Sequence, residues 1–166
     1  MTILAVDAAL LLQSGVIAAV VAGVVSLTAT VVAGRRARLD RQRQVFATAF
    51  EVCASYKEFP FIVRRRNEGD TGERARITAE LTAVQRQLST SLALIQVEAP
   101  KVAEKYGAFV RELREVAGAE IRRSWELPPI PANASQSIGD IDLSRLVSYE
   151  KAYLEQVRKH LRLLSG

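Results

Sequence analysis

AALLLQSGVIAAVVAGVVSLTATVVAG, residues Ala8–Gly34, contains no Asp, Glu, Lys, Arg or His, and Arg35-Arg36-Ala37-Arg38 follows at once. Its only clearly polar side chains are Gln13, Ser14, Ser26, Thr28 and Thr30. A bilayer core is crossed by about 20 apolar residues in a helix. In hydrocarbon every peptide group must bond within its own segment, which a single helix achieves and a lone strand does not. The run therefore predicts a transmembrane helix over 8–34. The competing reading is a buried core helix of a soluble protein, but such helices seldom reach this length without a charge.

The flanks set the direction of crossing. Asp7 is the one side-chain charge before the run, whereas Arg35, Arg36, Arg38, Arg41 and Arg43 follow it against Asp40. Arginine-rich flanks stay on the cytoplasmic side. The expected localisation is the cell membrane, with residues 1–7 a short extracytoplasmic tail and 35–166 a cytoplasmic domain. A cleavable secretory signal carries positive charge ahead of its apolar run. No Lys or Arg precedes Arg35, so the span reads as an uncleaved anchor.

Within the span Gly15, Ala19 and Gly23 recur every four residues, and Ser26, Thr30 and Gly34 form a second such row. Small residues at this spacing let two membrane helices approach closely, which makes the first row a candidate self-association face and a homo-oligomer a candidate state. Ala, Gly and Val dominate the whole segment, so chance produces the same spacing.

Charge is distributed unevenly. Arg35–Arg66 holds nine basic residues against three acidic ones, whereas Asn67–Gly166 holds fourteen of each. The net +5 of the chain thus resides in the segment leaving the apolar run. Anionic headgroups attract such a segment by about 1 kcal/mol per nearby Lys or Arg. A membrane-surface role for Arg35, Arg36, Arg38, Arg41 and Arg43 therefore explains the basicity without nucleic acid. Arg outnumbers Lys eighteen to five, a composition typical of a high-GC bacterial genome. Cys53 and His160 are the only residues of their kinds. They permit no intramolecular disulfide and no Cys/His metal site within one chain.

Beyond the arginines, Leu39, Phe46, Phe50, Cys53 and Tyr56 keep helical spacing, widened by Val45, Val52 and Phe59. A helix is expected over 35–59, continuous with the membrane segment and with Gly34 as its one bend. Straight from Gly15 to Phe59, it would measure about 65 Å. Pro60 removes a donor and disfavours helix at Phe59, which predicts a kink or a restart.

Phe61-Ile62-Val63 then meets Arg64-Arg65-Arg66. Arginine forks suit phosphates and carboxylates, so the cluster is a candidate anion or partner site. The alternative is a solvated helix end, where cations favour the macrodipole. Asn67–Gly72 reads as a loop, with Asp70 or Thr71 capping a helix over 71–98 whose stripe is Ile77, Leu81, Val84, Leu88, Leu92 and Ile95. Pro100 suits a first helical position and opens a helix over 100–123, with Val102, Tyr106, Phe109, Leu113, Val116 and Ile121 on one face. The Ala99-Pro100 junction leaves room only for a tight hairpin or a kinked rod.

Trp125, Pro128 and Pro131 belong to a proline-rich stretch with two readings: a docking peptide for an aromatic groove, or a crossover strapped over the bundle with Trp125 as its apolar pin. The last helix is expected over 142–164, capped by Asp140 or Asp142, with Leu143, Leu146, Tyr153, Leu154, Val157, Leu161 and Leu164 on its face. His160, near its C-terminal end, reads as a structural cation, and Cys53 as packing. The fold class is all-α, one N-terminal transmembrane helix followed by a four-helix bundle; a coiled-coil oligomer is the alternative.

No phosphate loop, dinucleotide fingerprint, zinc-helix motif or nucleophile elbow occurs. The chain is expected not to be an enzyme, with no catalytic residues, no cofactor and no metal. Its expected partners are the bilayer and a protein. The leading function is a single-pass scaffold or regulatory protein whose bundle binds that protein. Two alternatives are a self-associating membrane effector of toxin, defence or pore type, and a nucleic-acid tether through Arg64, Arg65 and Arg66. Nucleic acid is the least supported partner.

Overall fold

The computed structural model describes the backbone of residues 3–67, 72–130 and 139–165, and the side chains of residues 30, 32–67, 72–130 and 139–164. All regular structure among them is helical: α1 (Ile3–Arg64), α2 (Glu73–Glu98), α3 (Pro100–Glu126) and α4 (Leu146–Ser165). The chain divides into two compact units, Met1–Arg41 and Gln42–Gly166.

In the first unit Val32–Arg41 expose every side chain except the half-buried Leu39, and Gly34 is helical. Among the described residues no helix is long and apolar enough to cross a membrane. Nearly all of the 8–34 run, the tail 1–7 and the candidate face Gly15, Ala19 and Gly23 lie outside the described side chains.

The second unit is a bundle of four helices. α2 and α3 fold back on one another about Ala99, the single non-helical residue between them. A Cβ on Gly107 would lie 3.6 Å from Leu92, and Arg114 donates to the Gln85 carbonyl and the Ser89 hydroxyl. These partners stand almost equally far to either side of Ala99, as an antiparallel hairpin requires, so the kinked rod does not form. α4 is antiparallel to α3: Arg145, just before it, pairs with Glu112 and Glu115, while Tyr153 further on stacks against Phe109 and packs tilted against Tyr106. α1 runs parallel to α3. Tyr106 meets Ala49, Gly118 meets Tyr56, and Ser124 meets Arg66.

α3 is the central element, buried from Val102 to Ser124 along one face. Every apolar position on its expected stripe is buried. α2 is more peripheral, with Ile77, Leu88, Ser91 and Ile95 buried and Leu81, Val84 and Leu92 packed at the edge of the core. α4 follows its expected stripe up to Leu161, and Leu164 is exposed.

α1 does not restart at Pro60, since the helix runs on through it to Arg64. A proline inside a helix costs about 3 kcal/mol. Phe59 and Val63, on either side of Pro60, are both in the core, and burying two such side chains yields roughly 1.5–3 kcal/mol each. Tertiary burial thus at least matches the proline's cost. α2 starts at Glu73, with Gly72 rather than a capping side chain before it, and Glu73 accepts the backbone N–H of Asn67. Asp70 and Thr71 lie outside the described residues. α4 starts at Leu146, later than Asp142, because Asp142 spends its carboxylate on the Ser144 N–H at 2.9 Å in a turn. The Ser144 hydroxyl, and after it the Ser144 N–H, hold the Asp142 carboxyl below its ordinary range.

Candidate functional site

Two sequence candidates, the arginine cluster and the tryptophan-proline stretch, come together at one end of the bundle. Arg66 donates through Nη1 to the carbonyls of Val63 (3.0 Å) and Ser124 (2.9 Å), and through Nη2 to those of Trp125 (3.5 Å) and Leu127 (2.9 Å). The last carbonyls of a helix have no intrahelical partner, so a guanidinium there satisfies groups that would otherwise need water. Arg64 donates to the Pro128 carbonyl at 2.6 Å, and its own carbonyl accepts from the Ile130 N–H at 2.7 Å. Its Nη2 also stands 3.9 Å from Asp140. The guanidinium groups of Arg66 and Arg74 lie 5.2 and 4.9 Å from the Trp125 ring centre, within cation–π range.

The arrangement joins the ends of α1 and α3 to the extended segment that begins at Leu127. Arg64 and Arg66 direct donors to protein carbonyls, and Arg65 is exposed. Trp125 is half-buried against the two arginines, in the position of a pin, and Pro128 is held by Arg64. Pro131 lies outside the described residues.

A second feature was not visible in the sequence. Between α1 and α4 an apolar groove of about 240 Å³ is lined by Phe46, Ala47, Phe50, Leu154, Val157 and Leu161, with Tyr153 beneath and Arg43 on its rim. Towards the α4 N-terminus, Lys57 and Glu150 form an ion pair at 2.7 Å, and the Lys57 ammonium lies 6.0 Å from the centre of the Phe50 ring. The groove is apolar at its base and charged at its margins, the pattern of a surface that accepts an amphipathic helix. Comparison with protein-family models, with curated proteins and with solved structures finds no match.

Beneath the groove lies a small polar centre. The Cys53 thiol donates to the Tyr106 hydroxyl at 3.8 Å, Tyr106 donates to the Ala49 carbonyl at 3.3 Å, and Tyr153 donates to the Phe46 carbonyl at 2.9 Å. Burial pushes the Cys53 thiol up to about 11, only partly offset by Tyr106 and Lys57. Burial likewise raises both tyrosines above their ordinary value. A thiol so placed is protonated at neutral pH and unreactive, which suits a packing role.

Its raised pKa also has a sign. Above about pH 9 the unfolded thiol ionises while the folded one holds its proton, so the unfolded state gains. This group alone should lower stability by about 1.4 kcal/mol per pH unit until its folded pKa is reached. Urea midpoints measured across that range should therefore fall less steeply for Cys53→Ala than for the wild type. Equal slopes would place the thiol in contact with water.

Arg35, Arg36, Arg38, Arg41 and Arg43 are all exposed on α1. Among the described residues no cluster of His, Cys, Asp and Glu is placed to hold a metal ion. His160 packs edge-on to Phe46 at 5.8 Å, rather than only facing solvent at the helix end. Gln42, Ser91, Glu112 and Ser124 are buried polar groups that the apolar stripes passed over. Gln42 was detectable in principle, because it sits one helical turn before Phe46 on the same face.

Proposed function

We propose that this protein is a single-pass membrane anchor carrying a helical scaffold or regulatory bundle that binds a protein partner. The observation that carries the anchor is the uncharged run Ala8–Gly34 ending on Arg35, Arg36 and Arg38. Its length suits a bilayer, and its flanks favour an outer N-terminus and a cytoplasmic bundle. The apolar groove between α1 and α4 supports the partner half of the reading. It buries only part of Phe50, Leu154 and Val157, and an amphipathic helix of another protein would complete their burial.

Ala47 is exposed at the lip of that groove, so Ala47→Glu places a charge in the path of an incoming helix without touching the core. Stability should change by no more than about 0.5 kcal/mol, as for an ordinary surface substitution. The full-length protein would be purified from its own membranes after an alkaline carbonate wash. Both forms should resist the wash, and a second protein in constant ratio should accompany the wild type and be lost from Ala47→Glu. Extraction by carbonate would remove the anchor, and a partner retained by Ala47→Glu would remove the groove as its site.

A further inference from the structure

We infer that the end of the bundle where α2 turns into α3 and α4 finishes is a second membrane contact, a face that rests on anionic lipid headgroups. A groove of about 490 Å³ opens there between the first turns of α3 and the last turns of α4. Lys101, Lys105, Lys159 and His160 line it, with Glu104 and Leu163 among the remaining walls. Lys101 and Lys105 are one helical turn apart, so they share a face of α3, and Lys159 meets them from α4. All three lysines are exposed. Glu98 also borders the groove, and its carboxylate faces the Gln42 side-chain amide at 3.4 Å.

The same end carries the two most exposed of the large apolar side chains among the described residues. Val97 is 83% exposed and Leu163 75%, with Leu164 beside the latter. Leu163 shares the groove with Pro100, and Val97 precedes Glu98 in the chain. Lysines around protruding aliphatic groups are the composition of an interfacial lipid contact: the ammonium groups meet phosphate while the apolar tips enter the acyl boundary.

Chain connectivity favours lipid over a protein as the occupant. Gln42, which begins the bundle unit, contacts Glu98 at this same end. It follows Gly34, the last residue of the uncharged run, by eight residues. Even fully extended, that linker reaches no more than about 29 Å. If the run is embedded, this end of the bundle is therefore tethered close to headgroups. The inference rests on the membrane-anchor reading in that respect.

The test uses the full chain reconstituted in vesicles of phosphatidylcholine alone or with added phosphatidylglycerol. A fluorophore on Leu163→Cys reports contact through quenching by nitroxide-labelled lipid. The buried Cys53 leaves the introduced thiol as the site of labelling. Glu126→Cys, exposed at the opposite end of α3, serves as the distant control. Quenching at 163 should rise when phosphatidylglycerol is present and stay low at 126.

A headgroup-adjacent Lys is worth about fivefold in occupancy. K101Q/K105Q/K159Q should therefore reduce contact about a hundredfold, returning the signal to that of neutral vesicles. High salt should act in the same direction. Quenching that ignores both phosphatidylglycerol and the triple variant overturns the inference while leaving the anchor standing. Extraction of the wild type by carbonate overturns the anchor and this inference together. A label unquenched in vesicles but shielded from aqueous iodide in native membranes assigns the face to a protein and overturns the lipid contact.

Discussion

Tyr153→Ala is expected to destabilise the bundle by about 3–5 kcal/mol, whereas Tyr153→Phe should cost about 1 kcal/mol. Tyr153 is completely buried where α1, α3 and α4 meet. Its ring centre lies 5.3 Å from that of Tyr106 and 6.4 Å from that of Phe109, so its removal opens a cavity walled by α3 aromatics that cannot collapse independently. The hydroxyl contributes separately, through the 2.9 Å bond it donates to the Phe46 carbonyl on α1. That carbonyl lies inside a helix and retains its intrahelical partner in the phenylalanine variant. Loss of the hydroxyl therefore orphans nothing, and the smaller figure applies. Urea unfolding of the full chain in detergent, followed by helical signal, should rank wild type, Phe and Ala in that order. Equal losses for the two variants would mean that the hydrogen bond, not the packing, holds α4 in place.

The core was legible because the sequence carries it at helical spacing. Tyr106, Phe109 and Leu113 on α3, and Phe46, Cys53 and Tyr56 on α1, all lie on stripes readable without coordinates, and all are buried. The ends of the helices were harder to read. At Pro60 a local rule predicted a kink or a restart; the helix does not restart, because burial of Phe59 and Val63 at least matches the proline's cost. At Asp142 the expected cap serves a turn instead, because the carboxylate reaches the Ser144 N–H before any helix has begun. In each case the information lies in what packs nearby, and a single stripe does not encode its neighbours.

The same limit governed the candidate sites. Arg64, Arg65 and Arg66 read either as an anion or partner site or as a helix end, because backbone carbonyls at a helix end present acceptors similar to those of an anion. Only the placement of α3 beside α1 reveals which acceptors they meet. The apolar groove escaped notice for a related reason. Phe46 and Phe50 from α1 and Leu154 and Val157 from α4 each read as core, and only the gap left between the two helices makes a surface of them. The lysine face has no sequence signature at all, since Lys101 and Lys159 are separated by most of two helices and a crossover.

Arg66→Ala should cost about 2–4 kcal/mol, with Arg65→Ala changing stability by less than about 0.5 kcal/mol. Hydrogen bonds to a charged group contribute about 1.5–3 kcal/mol each when partly buried, but those of Arg66 share one side chain and do not add. Its removal releases the carbonyls of Ser124 and Leu127 and takes a cation from the Trp125 ring. Arg66→Lys should recover little, because a point ammonium cannot spread its donors over carbonyls on both α1 and α3 as a planar fork does. An anion site would behave differently. There Arg65, the most exposed of the three, would matter most for binding, and its loss would leave melting unaltered. Trp125→Ala separates the fastening role further: if Arg66 acts through the strap, the double variant Arg66→Ala/Trp125→Ala should lose less than the sum of its parts. Strict additivity would show that arginine and tryptophan act independently, and the end of α1 would then be fixed by the carbonyl bonds alone.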